Sequence, residues 1–333
     1  MGDPIVTDLE RDWRRLTETV GLFADPAREV WRVEGPGAVR ALHGLLTNDL
    51  EGPAPGSRIP ALALTPKGRP LADLLVWKQE SFLLLDLPRV TAASLRAHFG
   101  RYLPPRLARL TEEPAAGIAR LLGPGAGAAL GEPDAPSSGP PVAGPDAPSP
   151  VPGPLLVAPR EPEEGGGYDV LRLGPAADAA WSRLVEATEA SGGGPVSRAA
   201  FESWRVERGI PVYGWDFDEG SLPQETGLVD LAVSFEKGCY MGQEVVARIH
   251  YRGHVNRQLR GLRLPSEATA TDGHPLFRDG REVGRVSSPV RSPGFGSIAL
   301  ATVRREIEPG TRVSLSPDGE PAVTVVTLPF TVQ

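Results

Sequence analysis

The residues with most chemistry to offer lie in one short stretch, Lys237-Gly238-Cys239-Tyr240-Met241-Gly242-Gln243-Glu244, followed by Arg248 and then His250-Tyr251-Arg252-Gly253-His254. Cys239 is the only cysteine among 333 residues, and Lys237 is one of three lysines, with Lys67 and Lys78. A thiol does nucleophilic or redox work as its thiolate, which nearby cations and exposed backbone N–H groups favour. Lys237 lies two residues before the thiol and Arg248 could approach it in three dimensions, while Gly238 and Gly242 permit tight turns and close ligand approach. The competing reading makes Cys239 a small buried hydrophobe, as most free cysteines are. One cysteine forms no internal disulfide and is too few for a zinc or iron–sulfur cage. No surrounding pattern marks His250 or His254 as the base of a cysteine protease. Around Gly253 the segment reads as extended, which would set the two histidines roughly 13 Å apart, too far for one metal ion. No metal site is expected.

Carboxylates come next. Glu207 falls in the last turn of an expected helix, where the macrodipole disfavours negative charge. It is either solvated beside Arg205 and Arg208 or an acceptor for a bidentate donor such as a pterin or guanidine edge. Asp73 interrupts the apolar run Leu71-Ala72-Asp73-Leu74-Leu75-Val76, so it faces either the open side of a sheet or a cavity. Asn48 and Asp49 follow a helix and could cap or turn the chain.

Several elements must hold these groups. Residues 28–47 read as strand, turn and helix, with Val39, Leu42 and Leu46 at helical spacing. Strands follow at 61–64, 71–77 and 81–87, with a turn at 65–69, then a helix carrying Leu95, Phe99 and Leu103. From about 123 to 167 Pro, Gly, Ala and Ser dominate, which reads as a flexible linker or insertion. A strand at 168–173 and a helix over 176–190 come next. Ser197 can cap a further helix that Gly209 ends, with Phe201 and Trp204 on its inner face. Beyond about residue 256, short strands at 258–264, 282–290, 297–303, 312–316 and 322–328 are separated by Asp-Gly turns, the pattern of a small β-barrel. The expected domains are 1–122, 123–167 as linker, 168–255 carrying the cysteine segment, and 256–333 as barrel.

Bulk properties limit the functions. The net charge of −7 disfavours nonspecific binding to nucleic acid or anionic membranes. Arginine vastly outnumbers lysine, as coding bias in a GC-rich genome would produce. The N-terminus lacks a signal-peptide pattern, and no apolar run approaches the roughly 18–20 residues of a membrane span. A cytoplasmic protein without a membrane partner is expected.

The stretch from Lys237 to Glu244, continuing through Arg248 to Gly253, resembles the hallmark segment of the YgfZ-type folate-binding proteins. These are relatives of the glycine-cleavage T-protein and include an iron–sulfur cluster assembly factor. Leu46-Thr47-Asn48-Asp49, Arg205-Val206-Glu207-Arg208-Gly209-Ile210-Pro211 and Pro223-Gln224-Glu225-Thr226-Gly227-Leu228 resemble family elements as well, so the likeness covers most of the chain except 123–167. It implies an α+β, aminomethyltransferase-like fold of three domains around a central cavity, ending in a β-barrel. It implies tetrahydrofolate or a derivative as cofactor, with Glu207 on the pterin edge and Asp73, Asn48, Asp49, Tyr240 and Gln243 at the cofactor. Cys239 would be the functional thiol, with Lys237 and Arg248 beside it. The implied role is an accessory factor for iron–sulfur cluster assembly or repair, serving clients such as tRNA methylthiotransferases without binding nucleic acid directly. The alternative is a folate-dependent aminomethyl- or methyltransferase of the T-protein type. Two departures matter: Ala72-Asp73 stands where the T-protein carries a catalytic Asp-Asp pair, and the Lys-Gly-Cys-Tyr element is not a T-protein feature.

Overall fold

The computed structural model describes residues 7–131 and 155–331. The chain forms two compact units. Unit 1 comprises Met1–Ala61 and Leu74–Phe201, and unit 2 comprises Leu62–Asp73 and Glu202–Gln333.

Unit 1 carries two five-stranded sheets. In the first, the strand order is Arg58–Leu64, Pro70–Lys78, Phe82–Pro88, Arg28–Glu34, Arg109–Glu112. Its first two strands and the turn between them include residues 62–73, where the chain passes into unit 2 and back. Strands Pro70–Lys78 and Phe82–Pro88 are buried along nearly their whole length, matching their unbroken apolar sequence. The second sheet runs Gly194–Pro195, Gly21–Ala24, Ala116–Leu122, Tyr168–Leu173, Leu155–Pro159. Its core includes Leu22, Leu121, Val170 and Leu184, the last from the helix Asp178–Ala190.

The stretch 123–167, read from composition as a flexible linker or insertion, carries secondary structure at both of its described ends. A short helix Ala126–Ala129 and the adjoining Leu130 bury themselves in the core of the second sheet. Leu155–Pro159 pairs antiparallel with Tyr168–Leu173. The small residues at 126–129 allow close packing, so scarcity of large side chains did not mean absence of core. Charge there is buried too. Arg58 grips Glu164 with two hydrogen bonds of 2.7 and 2.5 Å, and Arg160 donates to Asp169 at 2.8 Å and to the Glu164 carbonyl at 2.6 Å. Residues 132–154 lie outside the described residues.

Unit 2 holds the six-stranded sheet, ordered Pro275–Arg278, Arg281–Ser292, Gly296–Arg304, Arg257–Arg263, Val323–Val326, Arg312–Val313. Phe277 and Ser314 exchange two backbone hydrogen bonds of 2.9 Å, so the first and last strands meet and the sheet closes into a barrel. Leu262, Val286, Ala301 and Val325 fill it. The strand Pro275–Arg278 had no counterpart in the sequence reading. The barrel's outer side packs through Leu259, Ile298, Leu300 and Phe330 onto Val206 of the helix Arg198–Glu207. Ser197 caps that helix by accepting the Ala200 N–H at 3.4 Å, and Gly209 leaves it at φ +71°.

Candidate functional site

The cysteine segment is seated on a hairpin tip by two glycines. The hairpin turns at residues 65–69, where the Thr65 N–H reaches the Arg69 carbonyl at 2.8 Å. Arg69 then donates to the Gly220 and Ser221 carbonyls at 3.0 and 2.9 Å. Gly242 has φ +81°, and a Cβ there would lie 2.8 Å from the Thr65 carbonyl oxygen and 2.9 Å from Gly68 Cα. A Cβ on Gly68 would in turn lie 2.9 Å from Val245 Cβ and 3.2 Å from the Gly242 carbonyl oxygen. Both positions therefore need glycine for conformation and for space.

Gly242 opens the helix Gln243–Arg252, whose first N–H, from Gln243, returns to the Tyr240 carbonyl at 3.2 Å. Tyr240 is buried with Leu62, Leu64, Val233 and Val246. Its hydroxyl has no hydrogen-bond partner among the described residues, and burial pushes the phenol up to about 12. The Lys237 ammonium lies 5.1 Å from the centre of the Tyr240 ring, a cation–π distance. Cys239, next in sequence, is exposed, which overturns the reading of a buried hydrophobe. Arg248 is exposed on the helix, without a partner among the described residues. The expectation of an extended chain around His250 is wrong: His250 lies in the last turn of the helix, its ring stacked on Phe235 with centres 3.8 Å apart, and only from Gly253 onward does the chain extend. Among the described residues no group of three or more His, Cys, Asp or Glu is arranged to hold a metal ion.

Glu207 is 4 % exposed, so it is not the solvated glutamate of the simpler reading. Ser292 Oγ donates to its Oε1 at 2.5 Å, and that hydroxyl accepts the Gly294 and Phe295 N–H groups at 3.0 and 2.9 Å. Oε2 lies 3.9 Å from Arg208 Nη1, an ion pair too long to be a hydrogen bond. The barrel turn thus fixes one oxygen, while the other faces the Arg208 guanidinium. Arg205, taken only as Glu207's neighbour, anchors a buried network. It donates to Asp216 at 2.9 Å and to Ser288 at 2.7 Å, while Ser287 and Ser288 both donate to Asp216 Oδ1. Ser288 sits at φ +46° where the strand register shifts. The available signal was an arginine four residues after Phe201, on the helix's inner face.

Asp73 is half-buried between fully buried Ala72 and Leu74. Burial, with Glu219, Asp218 and Asp73 adding to it, pushes the half-buried Tyr213 phenol up to about 12. Tyr213, Asp218 and Glu219 were not singled out from sequence, although the aromatic and acidic run 213–219 is visible there. Asn48 and Asp49 belong to unit 1 and shape a turn. Asn48 donates to the Pro60 carbonyl at 2.8 Å, and Asp49 accepts the Glu51 and Gly52 N–H groups at 2.9 and 3.3 Å. Asp73, Glu207, Lys237, Cys239, Tyr240, Gln243 and Arg248 all fall in unit 2. An open groove of about 990 Å³ in the same unit is lined by other residues, among them Arg69, His254, Arg257, Arg304 and Arg305. Among the described residues no helix is long and apolar enough to cross a membrane.

Residues 257–331 match the glycine cleavage T-protein C-terminal barrel domain. The chain is 31 % identical over 301 residues to an aminomethyltransferase of Rubrobacter xylanophilus, covering 89 % of this chain and 79 % of that protein. It is 29 % identical over 332 residues to an aminomethyltransferase of a Synechococcus strain, covering 97 % and 90 %. The crystal structure of the glycine cleavage system aminomethyltransferase T from Bartonella henselae superposes with a TM-score of 0.78 at 22 % identity, over 98 % of this chain and 90 % of that one. Sequence and fold agree: the chain belongs to the aminomethyltransferase family and has its fold, with a C-terminal barrel.

Proposed function

We propose that unit 2 binds a tetrahydrofolate-type ligand and that the protein carries out folate-dependent aminomethyl transfer. The observation that carries the folate reading is Glu207, a buried carboxylate with one oxygen fixed by Ser292. Such a carboxylate suits the adjacent ring N–H and exocyclic amine of a pterin, which present two donors side by side. The names of the relatives support the transfer reaction. Asp73 is the carboxylate for it: the one incompletely buried position between Pro70 and Trp77, able to balance positive charge on the transferred amine. Tyr240 and Gln243 would line the ligand from the motif loop. The test is turnover with tetrahydrofolate and an aminomethyl-lipoyl carrier. Methylene-tetrahydrofolate should form and should be lost in Asp73→Asn; no product from the unaltered protein would remove the transferase reading.

One observation favours a second reading. Cys239 is exposed, beside Lys237, in the segment that resembles the YgfZ-type proteins rather than the T-protein. On that reading the protein binds folate and serves iron–sulfur enzymes through this thiol, with Arg248 available on the adjoining helix. Cells carrying Cys239→Ala should then lose cluster-enzyme activity while folate binding in vitro persists. Normal cluster-enzyme activity in that variant and in a deletion would dismiss it.

A further inference from the structure

A chain of net charge −7 presents a local face of the opposite character. On the helix Gln243–Arg252, Arg248, Tyr251 and Arg252 share one stripe by their spacing, and all three are exposed. Tyr251 is 65 % exposed and stands edge-on to His250, with ring centres 4.8 Å apart at 88°. His250 is exposed as well and stacked on Phe235, so the rings hold one another in place while their outer surfaces meet solvent. Among the described residues neither Arg248 nor Arg252 has a carboxylate partner, and Glu244 is the one carboxylate on their stripe.

Past the helix the chain runs through His254 and Arg257 into the groove of about 990 Å³, which Arg69, Arg304 and Arg305 complete. Arg257 is paired with Glu225 at 3.2 Å, and Glu306 and Glu308 also reach the groove. Arg304 and Arg305 have no ion-pair partner among the described residues. The surface thus joins ordered, exposed aromatic rings to a groove with unneutralised guanidinium groups.

We infer that this face binds single-stranded nucleic acid, with bases stacked on Tyr251 and His250 and phosphates held by Arg248, Arg252 and the groove arginines. Sequence-tolerant single-strand binders combine these two features, because every base has a π-face and every linkage a negative charge. An acidic polypeptide would use the arginines but would leave the rings without a purpose, so the rings favour the nucleic acid. The whole-chain charge conceals the face, on which Arg69, Arg248, Arg252, Arg257, Arg304 and Arg305 outnumber the carboxylates Glu225, Glu244, Glu306 and Glu308. The inference is independent of the folate reading.

The test is fluorescence anisotropy of the full chain with a labelled oligouridylate of about 12 nucleotides, in salt from about 50 to 200 mM. Binding should weaken with salt, the log–log slope being about −0.7 for each phosphate neutralised. Tyr251→Ala should weaken binding by about 5- to 150-fold with the slope unchanged, and Tyr251→Phe should restore it. Arg252→Gln should reduce the slope by about 0.7. Arg106→Gln, in unit 1, should change nothing. Absence of binding at the lowest salt would overturn the inference. So would displacement by polyglutamate together with indifference to Tyr251→Ala, which would mark an acidic-polypeptide surface instead.

Discussion

Replacing Gly242 with alanine probes the seating of the cysteine segment on the hairpin 65–69. Two costs add. At φ +81° an L-residue is strained, by about 1–2 kcal/mol. The new Cβ would also fall 2.8 Å from the Thr65 carbonyl oxygen and 2.9 Å from Gly68 Cα. Both are backbone atoms, so relief requires hairpin and loop to part, and overpacking of this kind costs about 1–3 kcal/mol more. Tyr240 packs against Leu62 and Leu64 on the same hairpin, so the displacement would reach the core. Gly310→Ala provides the control. Its φ is +89°, yet nothing lies within 4 Å of a Cβ there, so it should carry the conformational cost alone. Urea unfolding of both variants should show Gly242→Ala less stable than Gly310→Ala by about 1–3 kcal/mol. Equal midpoints and slopes for the two would refute the interlock.

Three further outcomes are expected. Burial alone would raise the Asp169 carboxyl, but Arg160, Arg58 and Arg120 overcome it and hold the group well below its ordinary value. Asp169→Asn should therefore destabilise the protein by about 3–5 kcal/mol in thermal or urea unfolding, because it leaves buried guanidinium groups uncompensated. Asp25 and Glu164 are likewise held below their ordinary values, against burial, by Arg120 and Arg58 respectively. The stability from these carboxylates should be complete above about pH 4–5 and lost as pH falls through the folded values, with Asp86, which burial pushes upward, working the other way. Acid unfolding followed by circular dichroism reads the sum, and a stability flat between about pH 5 and 2 would contradict it. Tyr240→Phe removes a buried hydroxyl that has no partner among the described residues, and the ligand-free protein should gain on the order of 1 kcal/mol in the same unfolding assay.

Local patterns in the sequence were sound guides wherever one residue type has one structural use. Ser197 and Gly209 bracket their helix, and the Asp-Gly pairs separate barrel strands. Glu207 was identified as a carboxylate out of place at a helix end, and the fold encloses it. What escaped depends on partners far along the chain. Arg160 and Glu164 looked like linker because only Arg58 and Asp169 explain their burial. Arg205 looked like a flank because Asp216 and Ser288 come 11 and 83 residues later. Gly253 makes the stretch from His250 to His254 read as extended, yet it terminates a helix that holds His250. The glycines of the cysteine segment were recognised as permissive, but the surface they press against, Thr65 and Gly68, was invisible without the fold.

Calorimetric titration of the protein and of Glu207→Gln with tetrahydrofolate tests the central claim most directly. The account predicts one site in the unaltered protein and affinity about 10- to 150-fold lower in the variant, the loss of a hydrogen bond to a charged acceptor of about 1.5–3 kcal/mol. No heat of binding in the unaltered protein, or equal affinity in the two, would contradict it.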